Sequence, residues 1–100
     1  MNQTEITLEV NPKIAPILFG RCDQNLRLLS EELGITLSTR GNEVYLAGEE
    51  EEVNLGLRAL ELLRNQVKSG VAPGAHEVRY ALDLARQREE SGRAGGRERV

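Results

Sequence analysis

One hundred residues make one domain, or one domain with a tail, and 39% hydrophobic residues can fill a single core at that size. A formal charge of −3 excludes whole-molecule attraction to nucleic acid or membrane, so a basic site must be local. One cysteine, Cys22, excludes an intrachain disulfide and a multi-cysteine metal site; no apolar run reaches membrane-spanning length, and a reducing, cytoplasmic setting is expected.

From Thr4 to Val10, Ile6, Leu8 and Val10 alternate with Thr7 and Glu9, the period of a half-buried strand. Asn11 and Pro12 break it as a cap and a first helical residue. Lys13 to Phe19 reads as a short helix presenting Ile14, Ile17 and Leu18, with Pro16 limiting its regularity. Gly20 then supplies a sharp turn. Asp23 stands where a cap is wanted, its carboxylate facing the first free amides of the next helix. That helix runs from about Gln24 to Leu33, buries Leu26, Leu29 and Leu33, and stops at Gly34. A glycine turn feeding a helix N-terminus is suited to an anionic oxygen.

Ile35 to Thr39 alternates again, and Arg40-Gly41-Asn42-Glu43 reads as a two-residue hairpin with Gly41 at the first position of a type II′ turn. Val44 to Ala47 returns, ended by Gly48. Glu49 to Glu52 open the longest helix with carboxylates at its positive pole. Val53, Leu57, Leu60, Leu63 and Val67 form its apolar stripe, and Gly56 on that side marks a close approach. The helix ends near Lys68 to Gly70. After a loop holding Pro73, a last helix from about Ala75 to Arg88 places Val78, Leu82 and Ala85 on one face, which either packs on this domain or docks a neighbour. From Ser91 on, too few apolar residues remain to order the chain.

The expected class is α+β: β-α-α-β-β-α plus a C-terminal helix, with a three-stranded antiparallel sheet covered by helices on one face. Thr7, Glu9, Thr36, Ser38 and Tyr45 mark the wet face. An RNA-binding sheet that stacks bases on its open face needs several aromatics there, and only Tyr45 qualifies.

This order, with a glycine turn between two helices, resembles a type I KH domain. Phe19-Gly20, Asp23 to Arg27, Leu33-Gly34-Ile35, Arg40-Gly41-Asn42 and Leu46-Ala47-Gly48 together resemble the N-terminal KH-like domain of PhoH-like proteins, over roughly residues 5 to 88. The resemblance implies a KH-like domain over residues 1–88, a flexible tail or linker over 89–100, and a following P-loop ATPase domain linked to RNA metabolism. No phosphate-loop motif occurs in this chain, so ATP and magnesium are implied only for that other domain and no cofactor for this one. The chain is then an excised domain or a free-standing relative, and not itself an enzyme.

In KH domains a G-x-x-G loop presses its amides against phosphates. Here it is Gly20-Arg21-Cys22-Asp23, with a carboxylate replacing the second glycine and opposing a phosphate by roughly 1–4 kcal/mol at 4 Å. The candidate contacts to single-stranded RNA are Gly20, Arg21, Cys22, Asp23, Asn25, Arg27, Arg40 and Lys13. The competing reading keeps the fold as an interaction or homo-oligomerisation module that orients the ATPase domain. Cys22 has no histidine near it in sequence, His76 begins a remote helix, and consecutive glutamates cannot converge on one ion, so neither catalysis nor metal binding is expected.

Overall fold

The computed structural model describes the backbone of residues 3–98 and the side chains of residues 3–87. Three strands, β1 (Gln3–Glu9), β2 (Thr36–Arg40) and β3 (Glu43–Glu49), form one antiparallel sheet in the order β1-β3-β2. Four helices accompany them: α1 (Ala15–Phe19), α2 (Gln24–Leu33), α3 (Glu50–Lys68) and α4 (Ala75–Glu98). The α+β order expected from the sequence therefore stands.

Register follows from the alternation. Ile6 and Leu37 both pair with Leu46, while Leu8 and Thr39 pair with Val44, so the apolar side chains share one face. Thr7 and Ser38 flank Tyr45 on the other, wet face. The hairpin has a two-residue loop, because Arg40 pairs directly with Glu43 and Gly41 takes φ 63°. Asn42 ties this hairpin to the end of the first strand: its Nδ2 donates to the Val10 carbonyl at 2.6 Å, and the Val10 amide donates to the Asn42 carbonyl at 2.9 Å.

The helices α2 and α3 lie on the apolar face, and Val44, Leu46, Val53, Leu60 and Leu63 are fully buried between the layers. Gly56 is the expected close approach. A Cβ there would lie 3.2 Å from the side chains of both Ile35 and Leu46, so even a methyl group would crowd the contact between α3 and the sheet. Gly48 does not end its strand, which continues to Glu49. A Cβ at Gly48 would stand 2.9 Å from Ile35, so it too leaves space for that side chain.

Two further expectations change and one open alternative is settled. First, α1 begins only at Ala15; Asn11 holds the preceding turn by accepting from the Lys13 amide at 2.9 Å. Five residues make little more than one turn, and burying Ala15, Leu18 and Phe19 leaves Ile17 outward, 44% exposed. Second, α4 packs against α3 and α2, with Val78, Ala81 and Leu82 buried. Leu82 is core, a burial worth about 1.5–3 kcal/mol, and is not a docking residue. Third, α4 continues past Arg88 to Glu98, carried by a run of straight-chain helix formers from Arg86 to Glu90. The expected tail over 89–100 concerns side chains outside the described residues, and 99–100 lie outside them altogether.

Candidate nucleic-acid interface

The corner between α1 and α2 is built from left-handed backbone. Gly20 takes φ 82° and ψ 177°, a region open in practice only to glycine. A short 3-10 turn follows over Arg21–Asp23, in which Cys22 has φ 53° and Asp23 φ 56°. Such conformations cost a residue with a Cβ on the order of 1–3 kcal/mol, least for Asp. Two contacts hold the corner. The Asp23 amide donates to the Gly20 carbonyl at 3.1 Å, and Arg27 Nη2 donates to the Cys22 carbonyl at 2.9 Å.

This geometry corrects the role assigned to Asp23. It occupies the N-cap position of α2 but makes no side-chain capping bond, because a cap needs extended backbone to fold its carboxylate over the first amides. Asp23 is exposed instead.

Asn25 is also relocated. It is fully buried, and its Nδ2 donates to the Leu18 carbonyl at 2.9 Å and the Pro73 carbonyl at 3.0 Å. One amide thus joins the end of α1 to the loop before α4. A Cβ on Gly20 would lie 2.9 Å from that Nδ2, so glycine is required for space as well as for φ. Asn25 acts as a positioning residue, its amide nitrogen engaged by the Leu18 and Pro73 carbonyls.

Below the corner, a groove of about 290 Å³ runs between α2 and β2. Leu26 and Leu37 give it an apolar floor, Ser30, Ser38 and Thr39 line it with hydroxyls, and Cys22, Asp23, Arg27 and Glu31 carry its rim. Ser30 Oγ is engaged with the Ile35 carbonyl at 2.5 Å. Of the sequence-derived candidates, Cys22, Asp23 and Arg27 line this groove, with Gly20 and Arg21 at its head. Arg40 is exposed on the wet sheet face, in an adjoining depression of about 420 Å³ that shares Ser38 and Thr39 with the groove and is also lined by Thr7, Glu43 and Tyr45. Lys13 is exposed before α1 and lines neither. The groove residues missed from sequence have a retrospective signal: Leu26 and Ser30, like Arg27 and Glu31, are four apart on one helix face. Nothing local pairs that face with β2.

On the wet face, burial, a hydrogen bond to Glu5 and its negative charge raise the Tyr45 phenol above its usual pKa. Cys22 is an exposed free thiol and His76 is exposed near the start of α4. Among the described residues no three His, Cys, Asp or Glu side chains converge as metal ligands, and no helix is long and apolar enough to cross a membrane.

No family model matches the chain. A PhoH-like protein of Bacillus subtilis is 32% identical over 79 residues, covering 79% of this chain and 25% of that protein. PhoH-like proteins of Mycobacterium leprae and Mycobacterium tuberculosis are 41% identical over 78 residues and 35% over 82, covering 22% and 23% of their own lengths. The chain is similar to one segment of PhoH-like proteins. It spans about a quarter of the length of the curated relatives it matches. Two solved structures share the fold. A protein of unknown function from Aeropyrum pernix has a TM-score of 0.62 at 14% identity, covering 100% of this chain and 56% of that one. Dim2p from Pyrococcus horikoshii has a TM-score of 0.61 at 18% identity, covering 79% and 48%.

Proposed function

We propose that this chain is a KH-like module that binds single-stranded RNA and forms the N-terminal domain of a PhoH-like protein. The observation that carries the reading is the groove between α2 and β2, headed by a left-handed corner and floored by Leu26 and Leu37. A KH domain uses such a groove to hold unpaired bases while its glycine loop meets the phosphates. Arg21 and Arg27 supply the cations, with Arg40 and Lys13 beyond the groove for a longer strand. ATP and magnesium belong to the ATPase domain expected in the rest of such a protein. That domain is the natural intramolecular partner, and the cytoplasm the natural compartment.

Asp23 and Glu31 oppose phosphate, so binding is weak, and the few cationic contacts make it salt-dependent with a shallow slope. Titration with mixed-sequence RNA oligomers tests this. Asp23→Gly should tighten binding roughly tenfold, the removal of one close charge repulsion. No binding by either protein at high micromolar concentration and low salt would overturn the reading.

One observation favours a second reading. The single guanidinium lining the groove, that of Arg27, is already engaged with the Cys22 carbonyl, leaving two carboxylates facing any ligand. A module that only positions an ATPase domain would keep the groove without the cations. Failure of RNA binding together with specific capture of the ATPase domain of a PhoH-like protein would select it.

A further inference from the structure

The groove does not stop at β2. Ser38 and Thr39 line both the groove and the depression of about 420 Å³ on the wet face. Adjacent strand residues point to opposite faces, so one surface wraps around β2 from the helix side to the wet side. β2 is an outer strand, paired only to β3 among the described residues, and no further strand interrupts that path.

The wet end of the path holds two groups that suit a nucleotide. Tyr45 has small neighbours on both adjoining strands, Thr7 on β1 and Ser38 on β2, and stays 36% exposed. Its hydroxyl is tied to Glu5, so the ring is already oriented before anything stacks on it. Arg40 is exposed, and among the described residues no hydrogen bond or ion pair holds its guanidinium. One carboxylate, Glu43, lies opposite Arg40 in the depression. The groove is worse equipped for phosphate: Arg27 is engaged with the Cys22 carbonyl, and Asp23 and Glu31 both stand on the rim.

We infer that a single RNA strand held in the groove crosses the edge of β2 onto the sheet, where Arg40 meets a phosphate and Tyr45 stacks a flanking base. The inference rests on the reading of the groove as an RNA site and extends it. One aromatic does not make a stacking sheet by itself; it adds one position to a strand that is anchored beside it. Every base has a π-face, so this position contributes affinity without selecting sequence.

Titration of the whole chain with mixed-sequence RNA of two lengths tests it. Tyr45→Ala should weaken decanucleotide binding by roughly fivefold or more, the low end of base–aromatic stacking, and Tyr45→Phe should keep it because the ring remains. Arg40→Gln should reduce the slope of log K against log salt by roughly 0.7, one phosphate contact on a single strand. Tetranucleotides, the length a KH groove holds, should respond to neither substitution. The chain has two tyrosines and no tryptophan, so in Tyr80→Phe the emission comes from Tyr45 alone and should fall with decanucleotides only. Circular dichroism on each variant controls for folding. Decanucleotide binding that survives both Tyr45→Ala and Arg40→Gln, or an equal loss at both lengths, overturns this inference and leaves the groove reading intact. A change of mass on Tyr45→Ala with RNA affinity unchanged assigns the sheet face to a second copy and also overturns it. No binding at either length, by wild type or Asp23→Gly, removes the groove reading and this inference with it.

Discussion

Two corners of this chain solve the same problem in opposite ways. At Gly41 the backbone reverses with one left-handed residue, a glycine with open space around its Cα. Between α1 and α2 it turns with three such residues, and only Gly20 among them is a glycine. The hairpin turn is chemically matched to its conformation and its register is set by the strands it joins. The other corner carries Cys22 and Asp23 in a conformation that their Cβ atoms resist. It holds because the Arg27 guanidinium, the Asn25 amide and the packed ends of two helices over-determine it. Strain is concentrated at the head of the groove, where Arg21, Cys22 and Asp23 are exposed.

The largest effect should come from crowding the strained corner. Gly20→Val combines a forbidden φ/ψ with a collision against buried Asn25, and should cost about 2–4 kcal/mol in urea denaturation. A loss below about 1 kcal/mol would mean that the corner has an alternative conformation.

A pair of opposite substitutions sharpens the contrast. Gly41→Ala should destabilise by about 1 kcal/mol, backbone strain alone, since an added Cβ meets nothing within 4 Å. Cys22→Gly should do the reverse, stabilising by about 0.5–1 kcal/mol despite the extra entropy of the unfolded chain. If Cys22→Gly destabilises, the corner is not strained and the comparison fails.

The smallest effect concerns a third corner, before α4, closed by a side chain. Glu77 reaches back to accept from the Gly74 amide at 2.9 Å, and that bond holds its carboxyl below its usual pKa. The folded state binds the proton more weakly than the unfolded one. This contribution is therefore complete above the unfolded pKa and is lost as pH falls through the lower, folded value. Thermal melts of the wild type and Glu77→Ala should differ at pH 7 and converge at acid pH; an equal gap at both would remove the carboxylate from the explanation.

Much of the architecture was legible because it is local. Alternation in Thr4–Val10 and Ile35–Thr39 and the two-residue turn at Gly41 identified the strands and their hairpin. The Val53–Leu63 stripe and Gly56 identified the face that α3 lays on the sheet. The site was less legible. Arg27, Cys22 and Asp23 were found because the glycine turn precedes them, but the groove's other wall comes from β2. Ser38 and Thr39 carried no sign of facing α2. Asn25 looked like a surface contact because its position beside the turn is local, whereas its burial depends on Pro73, 48 residues later.

From its residues alone this chain determined the order of its elements, the strand faces and the places where it turns, since propensity and periodicity act over a few neighbours. Tertiary packing decided that Ile17 points outward, that Asn25 is a buried clamp, that Leu82 is core, and that α2 and β2 enclose a groove. Those outcomes depend on which distant surfaces compete for the same burial, and no short window of sequence carries that information.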